Sequence, residues 1–174
     1  MLLQRGATVD LAMNDGWTPL LIAAEKGHDA VVQMLLQRGA TVDLARNTGT
    51  TPLFIAAQKG HDAVVQMLLQ RGATVDLANN DGATPLYIAA QNGHDAVVQM
   101  LLQRGATVDL AANNGATPLF MAVWNGHASV VPLLLDAGAA AEQQCGKWGT
   151  PLGTAVSKGH DAIAKLLRAA GAKA

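Results

Sequence analysis

Several features are scarce or absent in this sequence, and each absence excludes a class of protein. Cys145 is the single cysteine among 174 residues, so no internal disulfide is possible. No apolar run approaches the roughly eighteen residues that a membrane-spanning helix needs, and we expect no membrane segment. Twelve Lys and Arg against thirteen Asp and Glu leave a net charge of −1. A chain with this balance lacks the excess of basic residues that binds a nucleic-acid backbone, and we expect no nucleic-acid partner.

The short motifs that carry catalysis are also missing. The chain has no nucleophile elbow, phosphate loop, paired-cysteine metal site or nucleotide-binding glycine run. Cys145 and His160 occupy different parts of the sequence pattern described below, and no third group is evident to orient them. We therefore predict no enzymatic activity and no cofactor. The single thiol and the lack of a secretory signal at Met1 favour an intracellular, cytoplasmic location.

What the sequence does contain is a repeat. A Thr-Pro-Leu triplet recurs every 33 residues and is followed nine residues later by Gly-His; its threonines are Thr18, Thr51, Thr84, Thr117 and Thr150. A period of this length indicates small units that stack to bury their apolar faces. We divide the chain, as one domain, into a partial unit at 1–6 and five units at 7–39, 40–72, 73–105, 106–138 and 139–174.

Each unit carries the signals of two short helices. Thr51 is a good N-cap and Pro52 suits the first helical position, while Gly60 supplies a left-handed ending. Asp62 lies in the first turn of a second helix, where it complements the dipole, and Gly72 ends that helix. Its buried stripe is predicted at Val64, Val65, Leu68 and Leu69. The Asn80-Asp81-Gly82 turn signal predicts a protruding hairpin between two extended arms.

The unit resembles the ankyrin repeat, whose pattern is DxxGxTPLHxAAxxGHxxxVxxLLxxGA. The matching positions in the second unit are Gly49, Thr51-Pro52-Leu53, Ala56-Ala57, Gly60-His61, Val65, Leu68-Leu69 and Gly72-Ala73. The family's histidine after Thr-Pro-Leu is replaced by Leu21, Phe54, Tyr87, Phe120 and Gly153. The resemblance implies an all-α solenoid of helix-turn-helix units joined by β-hairpin-like loops. It also implies that another protein docks on a concave face of hairpin tips and first helices.

The first three units are nearly identical, and their differences fall in the hairpin or on the first helix. The second-helix sequence DAVVQMLLQRG does not change across them. One interpretation is drift at tolerant loop positions after a recent duplication. The other is diversification for recognition, natural or by design, because exposed second-helix residues such as Gln66, Gln70 and Arg71 should drift equally and do not.

From the varied positions we predict a set of partner contacts: Trp17, Arg46, Thr48, Thr50, Asp81, Tyr87, Trp124 and Asn125. Trp17 and Trp124 lead this set, since large surface aromatics are enriched at binding hot spots. Residues at the same position of successive units, 33 residues apart, form what we call a column. The aromatic column of Phe54, Tyr87 and Phe120 is expected to pack between units. Trp148 replaces a hairpin glycine and fits either packing under an altered turn, helped by Gly146 and Gly149, or contact with a partner.

Two further columns favour structural roles. The five Gly-His histidines recur once per unit, on the order of 10 Å apart, whereas zinc needs its ligands at roughly 2.0–2.3 Å. We predict no metal site and a role at the turn between helices for His28, His61, His94, His127 and His160. Arginines at the second-helix ends complement the helix dipole and are expected to be solvated; they are Arg5, Arg38, Arg71 and Arg104.

The last two units depart from the pattern. Thr154, Ala164 and Arg168 replace apolar residues, and we expect them to form the outer face of a C-terminal cap. Pro132 stands inside the second helix of the fourth unit, where it would cost about 3 kcal/mol. We predict that this helix begins later, capped by Ser129.

The N-terminal partial unit leaves further alternatives open. Residues 1–6 align with Met34 to Gly39, which favours an array that begins inside a unit and self-association through an uncapped first repeat. One alternative that this start supports is a targeting fragment of a larger protein. The near-identical units also fit an engineered or idealised scaffold without a native partner, although Cys145, Pro132 and Gly153 are poor choices for a regular design.

Overall fold

A computed structural model describes residues 8–173, which form a row of stacked helix pairs. The first helices of the five repeats are α1 Pro19–Lys26, α3 Pro52–Lys59, α5 Pro85–Asn92, α7 Pro118–Asn125 and α9 Pro151–Ser157. The second helices are α2 Asp29–Gln37, α4 Asp62–Gln70, α6 Asp95–Gln103, α8 Val130–Asp136 and α10 Asp161–Ala169. A 3₁₀ turn, Gly146–Trp148, precedes α9. The predicted all-α solenoid is confirmed; the partial unit at 1–6 lies outside the described residues.

The Thr-Pro-Leu signal starts every first helix in the same way. In α3 the backbone N–H of Phe54 donates to Thr51 Oγ1 at 3.1 Å, and Pro52 occupies the first helical position. This bond satisfies one of the four N–H groups that a helix start leaves without an intrahelical partner. The helix ends at Gly60, whose φ of 70° is left-handed. The local sequence alone therefore sets both ends of the helix.

Histidines of the Gly-His pairs join successive repeats; they are His61, His94 and His127. The Nε2 of His61 lies 3.0 Å from the carbonyl oxygen of Glu25, and that of His94 lies 3.0 Å from the carbonyl of Gln58. A carbonyl can only accept, so Nε2 carries the proton and donates. His61, His94 and, in the same way, His127 thus bind the end of the preceding first helix, and a structural role is confirmed for these three. Within residues 8–173, no three His, Cys, Asp or Glu side chains are grouped closely enough to hold a metal ion.

The connections between repeats are tight turns, not paired strands. Asn79 donates its N–H to the carbonyl of Ala83 at 3.0 Å, and Gly82 donates to Asn79 at 2.9 Å. The predicted extended arms are not present as strands in the described part of the chain. Neighbouring turns instead bond to each other, since the Asn80 N–H donates to the Thr48 carbonyl at 3.0 Å.

Neighbouring first helices pack more closely than neighbouring second helices, because buried alanines let them approach; these include Ala56, Ala57, Ala89 and Ala90. A stack that packs more closely on one side bends toward that side. We therefore take the side of the first helices and turns as the concave face.

The last repeat only partly forms the polar outer face predicted for it. Arg168 is exposed as expected, but Thr154 and Ala164 are buried, which corrects that prediction. The column of Ala164 lies inside the helix pair, since Val32, Val65, Val98 and Val131 are fully buried too. Thr154 is accommodated because its hydroxyl donates to the carbonyl of Trp148 at 3.5 Å.

Helix α8 begins two residues later than its counterparts, as Pro132 predicts. It starts at Val130, so Pro132 is its third residue and no intrahelical N–H bond is lost. The predicted cap is wrong in detail. Ser129 precedes the helix but makes no capping bond; its hydroxyl donates to Asp95 Oδ1 at 2.9 Å and links α8 to the preceding repeat. None of the helices between residues 8 and 173 has the length and apolarity needed to span a bilayer.

Candidate functional site

An open groove of about 630 Å³ crosses the second, third and fourth repeats on the concave face. It is built from the turns and from the exposed side of α3 and α5. Five of the eight predicted contacts line it: Arg46, Thr48, Thr50, Asp81 and Tyr87. The structure therefore brings together most of the residues that the varied columns indicated.

Polar groups from two successive turns form one wall of the groove. The hydroxyls of Thr48 and Thr50 are 2.8 Å apart, and Thr50 is only 9% exposed. The side chain of Asp81 is exposed, while its backbone N–H donates to Asn79 Oδ1 at 3.0 Å. Arg46 has a buried Nε with no hydrogen-bond partner among the described residues. The wall thus presents hydroxyls and a carboxylate beside an unsatisfied guanidinium nitrogen.

Aromatic side chains form the floor. Phe54 and Tyr87 are almost fully buried, at 5% and 6% exposed, which confirms that this column packs between repeats. Burial raises the pKa of the Tyr87 phenol, and hydrogen bonding to the Asn114 side chain partly offsets that rise. The phenol therefore stays protonated and can donate as well as accept. Tyr87 and Asn114 also line a second depression toward the last repeat.

That second depression is an aromatic cleft of about 190 Å³. Phe120 lies 5.9 Å from Trp124 and 6.0 Å from Trp148, measured between ring centres. Trp124 and Trp148 meet edge to face at 6.4 Å. Trp124 keeps 37% of its surface exposed. We call this feature the aromatic cleft: Tyr87, Asn114, Phe120, Met121, Trp124 and Trp148.

Two predicted contacts lie outside both depressions. The Trp17 ring is half-buried against Arg46, whose guanidinium carbon is 4.9 Å from the ring centre. Trp17 therefore touches the groove through Arg46. The amide of Asn125 donates to the Met121 carbonyl at 2.9 Å and belongs to the end of α7. Asn125 is not brought to the groove.

Sequence reasoning missed three residues near these depressions. Asn114 and Lys147 share the varied column of Thr48 and Asp81, so that column held the signal needed to find them. Lys158 shares the column of Asn125, and its Nζ lies 3.9 Å from the centre of the Trp124 ring. Trp148 packs under the altered turn, one of the two alternatives left open for it, and lines the cleft; its contact with a partner stays a prediction. Gly146 and Gly149 take φ of 52° and 82° at that turn, as expected.

Helix pairs repeated every 33 residues, with turns and first helices around an open concave groove, define a helical repeat solenoid. The family model described as ankyrin repeats (3 copies) matches residues 1–79, 38–112, 74–145 and 110–174, which together span the chain. The chain belongs to the ankyrin repeat family. Ankyrin repeats are generally protein–protein interaction modules and are typically non-catalytic. A search of curated proteins gave no match.

Proposed function

We propose that this chain binds a partner protein through the groove on its concave face. The proposal rests on the positions at which the near-identical repeats differ from one another. Positions that differ among the first three repeats include groove residues Arg46, Thr48, Thr50, Asp81 and Tyr87. The side chains that differ between repeats therefore line a groove that is open to a partner.

Exposure by itself does not account for this distribution. Gln66, Gln70 and Arg71 on α4 are exposed, and their equivalents in the neighbouring repeats are exposed too. These positions are identical in the first three repeats. Tolerance of exposed positions predicts differences on both sides of the stack, whereas selection for recognition predicts them on the concave side alone.

The groove also holds groups that a partner can satisfy. Arg46 makes no ion pair with a described carboxylate, and its Nε is buried without a partner. The half-buried Arg46 side chain lines the groove, so a partner carboxylate that pairs with its guanidinium there gains affinity. Asp81 offers an exposed carboxylate of opposite charge in the same groove. This pairing of charges gives the groove a preferred orientation for its partner.

The proposal is tested by capturing partners from cell lysate with two matched variants. Arg46→Ala/Asp81→Ala changes the groove, and Gln66→Ala/Gln99→Ala changes the same number of exposed residues on the second helices. Circular dichroism establishes that both variants are folded. A partner retained by the parent and the second-helix variant but lost by the groove variant supports the proposal. A partner lost by the second-helix variant alone contradicts it.

A further inference from the structure

The aromatic cleft is a feature that the repeat pattern does not require. Trp124 stands in the column of Glu25, Gln58 and Gln91, and Trp148 stands in a glycine column. An ideal repeat therefore has no aromatic at either position. Both indoles nevertheless face the same depression and keep part of their surface exposed to solvent. Exposed tryptophans that contact each other in a cleft are typical of binding hot spots.

The charged side chains that contact the two tryptophans of the cleft are both lysines. Lys158 Nζ lies 3.9 Å from the centre of the Trp124 ring, and Lys147 Nζ lies 5.8 Å from that of Trp148. Residues 110–126 carry no charged side chain, and these two lysines are the charged residues of 143–158. Asp81, a groove residue, acts on Tyr87 where the cleft meets the groove. The cleft thus combines apolar walls with a positively charged rim.

This arrangement selects among ligands. A cationic ligand is disfavoured, because Lys158 already lies over the Trp124 ring and Lys147 lies near that of Trp148, so a further cation would be repelled by both. Among the described residues, neither the Trp124 nor the Trp148 indole N–H donates to a protein acceptor. These donors and the two ammonium groups favour a carboxylate, while Phe120 and Met121 favour an apolar side chain.

We infer that the aromatic cleft binds a peptide segment in which an aromatic side chain is flanked by carboxylates. The aromatic ring fills the space against Phe120, Trp124 and Trp148, and the carboxylates pair with Lys147 and Lys158. The inference rests on the proposed function, because it names the chemistry of one segment of the partner. It places that segment next to the groove, since Tyr87 and Asn114 line both depressions.

The test uses three synthetic hexapeptides with blocked ends, titrated into the full chain by calorimetry. The first is Gly-Asp-Asp-Phe-Asp-Gly, the second has lysine in place of each aspartate, and the third has alanine in place of phenylalanine. We expect the first to bind about tenfold or more tightly than either of the others, a difference of about 1.4 kcal/mol. Its affinity should fall as salt is raised, because the lysines are exposed. Equal binding of the acidic and basic peptides overturns the inference, as does no binding at millimolar concentration.

Three variants locate the binding. Trp124→Ala should abolish binding of the acidic peptide, and Gln66→Ala/Gln99→Ala, on the second helices, should leave it unchanged. Lys147→Glu/Lys158→Glu alters exposed residues only, so it keeps the test valid if Trp124→Ala does not fold. The lysine variant should reverse the preference toward the basic peptide. Retention of the acidic preference overturns the inference.

Partner capture separates this inference from the proposed function. If Arg46→Ala/Asp81→Ala releases the partner but Trp124→Ala and the lysine variant do not, the inference fails and the proposed function stands. If none of these variants releases a bound partner, both fail. Release by the groove variant and by the cleft variants supports both.

Discussion

The guanidinium carbon of Arg46 lies 4.9 Å from the centre of the Trp17 indole ring, so a cation–π contact joins the first two repeats at the edge of the groove. At partly exposed sites such a contact contributes about 0.5–1 kcal/mol. A double-mutant cycle of Trp17→Ala and Arg46→Ala should therefore give a coupling energy of that size in urea unfolding. A coupling of zero means that Trp17 does not hold Arg46 in place.

Gly60→Ala should destabilise the stack more than Gly72→Ala. Both glycines have positive φ, at 70° and 82°, so each substitution costs about 1–2 kcal/mol in backbone strain. A Cβ at Gly60 also lies 2.6 Å from His94 Nδ1, whereas a Cβ at Gly72 has nothing within 4 Å. The clash should add about 1–3 kcal/mol. Urea unfolding of the two variants measures the difference; equal losses contradict the described packing of His94 on α3.

Thr84→Ala should reduce the free energy of unfolding by about 1 kcal/mol. The buried Thr84 Oγ1 accepts the backbone N–H of Tyr87 at 3.1 Å, and alanine leaves that donor without a partner. Thr84→Ser keeps the acceptor and serves as the matched control. Serine should retain most of the stability in thermal or urea unfolding. If serine destabilises as much as alanine, the methyl group and not the cap carries the effect.

Stability should decline at alkaline pH. Burial raises the pKa of the Cys145 thiol and of the Tyr87 phenol above their ordinary values of 9.0 and 10.0. The unfolded chain therefore releases these protons first, and the stability present below the ordinary values is lost as pH rises through the folded ones. Unfolding measured between about pH 8 and 11 should show a smaller decline for Cys145→Ala/Tyr87→Phe than for the parent. Parallel curves contradict this assignment.

The thiol of Cys145 should be unreactive while the chain is folded. Its side chain is fully buried, and a raised pKa keeps it in the unreactive protonated form. Labelling with iodoacetamide at pH 8 should be slow in buffer and fast in urea. Rapid labelling of the folded chain shows that the altered turn at Gly146–Trp148 opens readily.

Signals within a single helix made much of this fold predictable from the sequence. Contacts between repeats were not predictable in this way, because residues distant in the sequence form them. Thr51 and Gly60 act within one helix, so the sequence alone located the ends of α3. Pro132 likewise predicted a late start for α8, but Ser129 bonds Asp95 in another repeat, and a local signal does not report that contact. The turn at Asn80-Asp81-Gly82 was located from its own residues, but the bond from Asn80 to the Thr48 carbonyl in the preceding turn is likewise a contact that a local signal does not report.

The proposed binding face could be predicted as a set of repeat positions but not as two separate depressions. Repeat differences identified Arg46, Thr48 and Asp81, which the curvature of the stack brings into one groove. The aromatic cleft depends on how Trp148 from the last turn stacks on Phe120 of α7, a distance set by packing between repeats. Lys158 was missed because its position at the end of a first helix is ordinarily solvated. Only the structure shows that it contacts Trp124 of the preceding repeat.

Hydrogen–deuterium exchange of the chain with and without its captured partner tests the central claim most directly. We predict slower exchange on binding at the concave face, in residues 79–92 and 112–125, with no change in the second helices α4 and α6. The free chain supplies the reference for each peptide. Protection confined to α4 and α6, with none in the turns and first helices, contradicts recognition through the concave face.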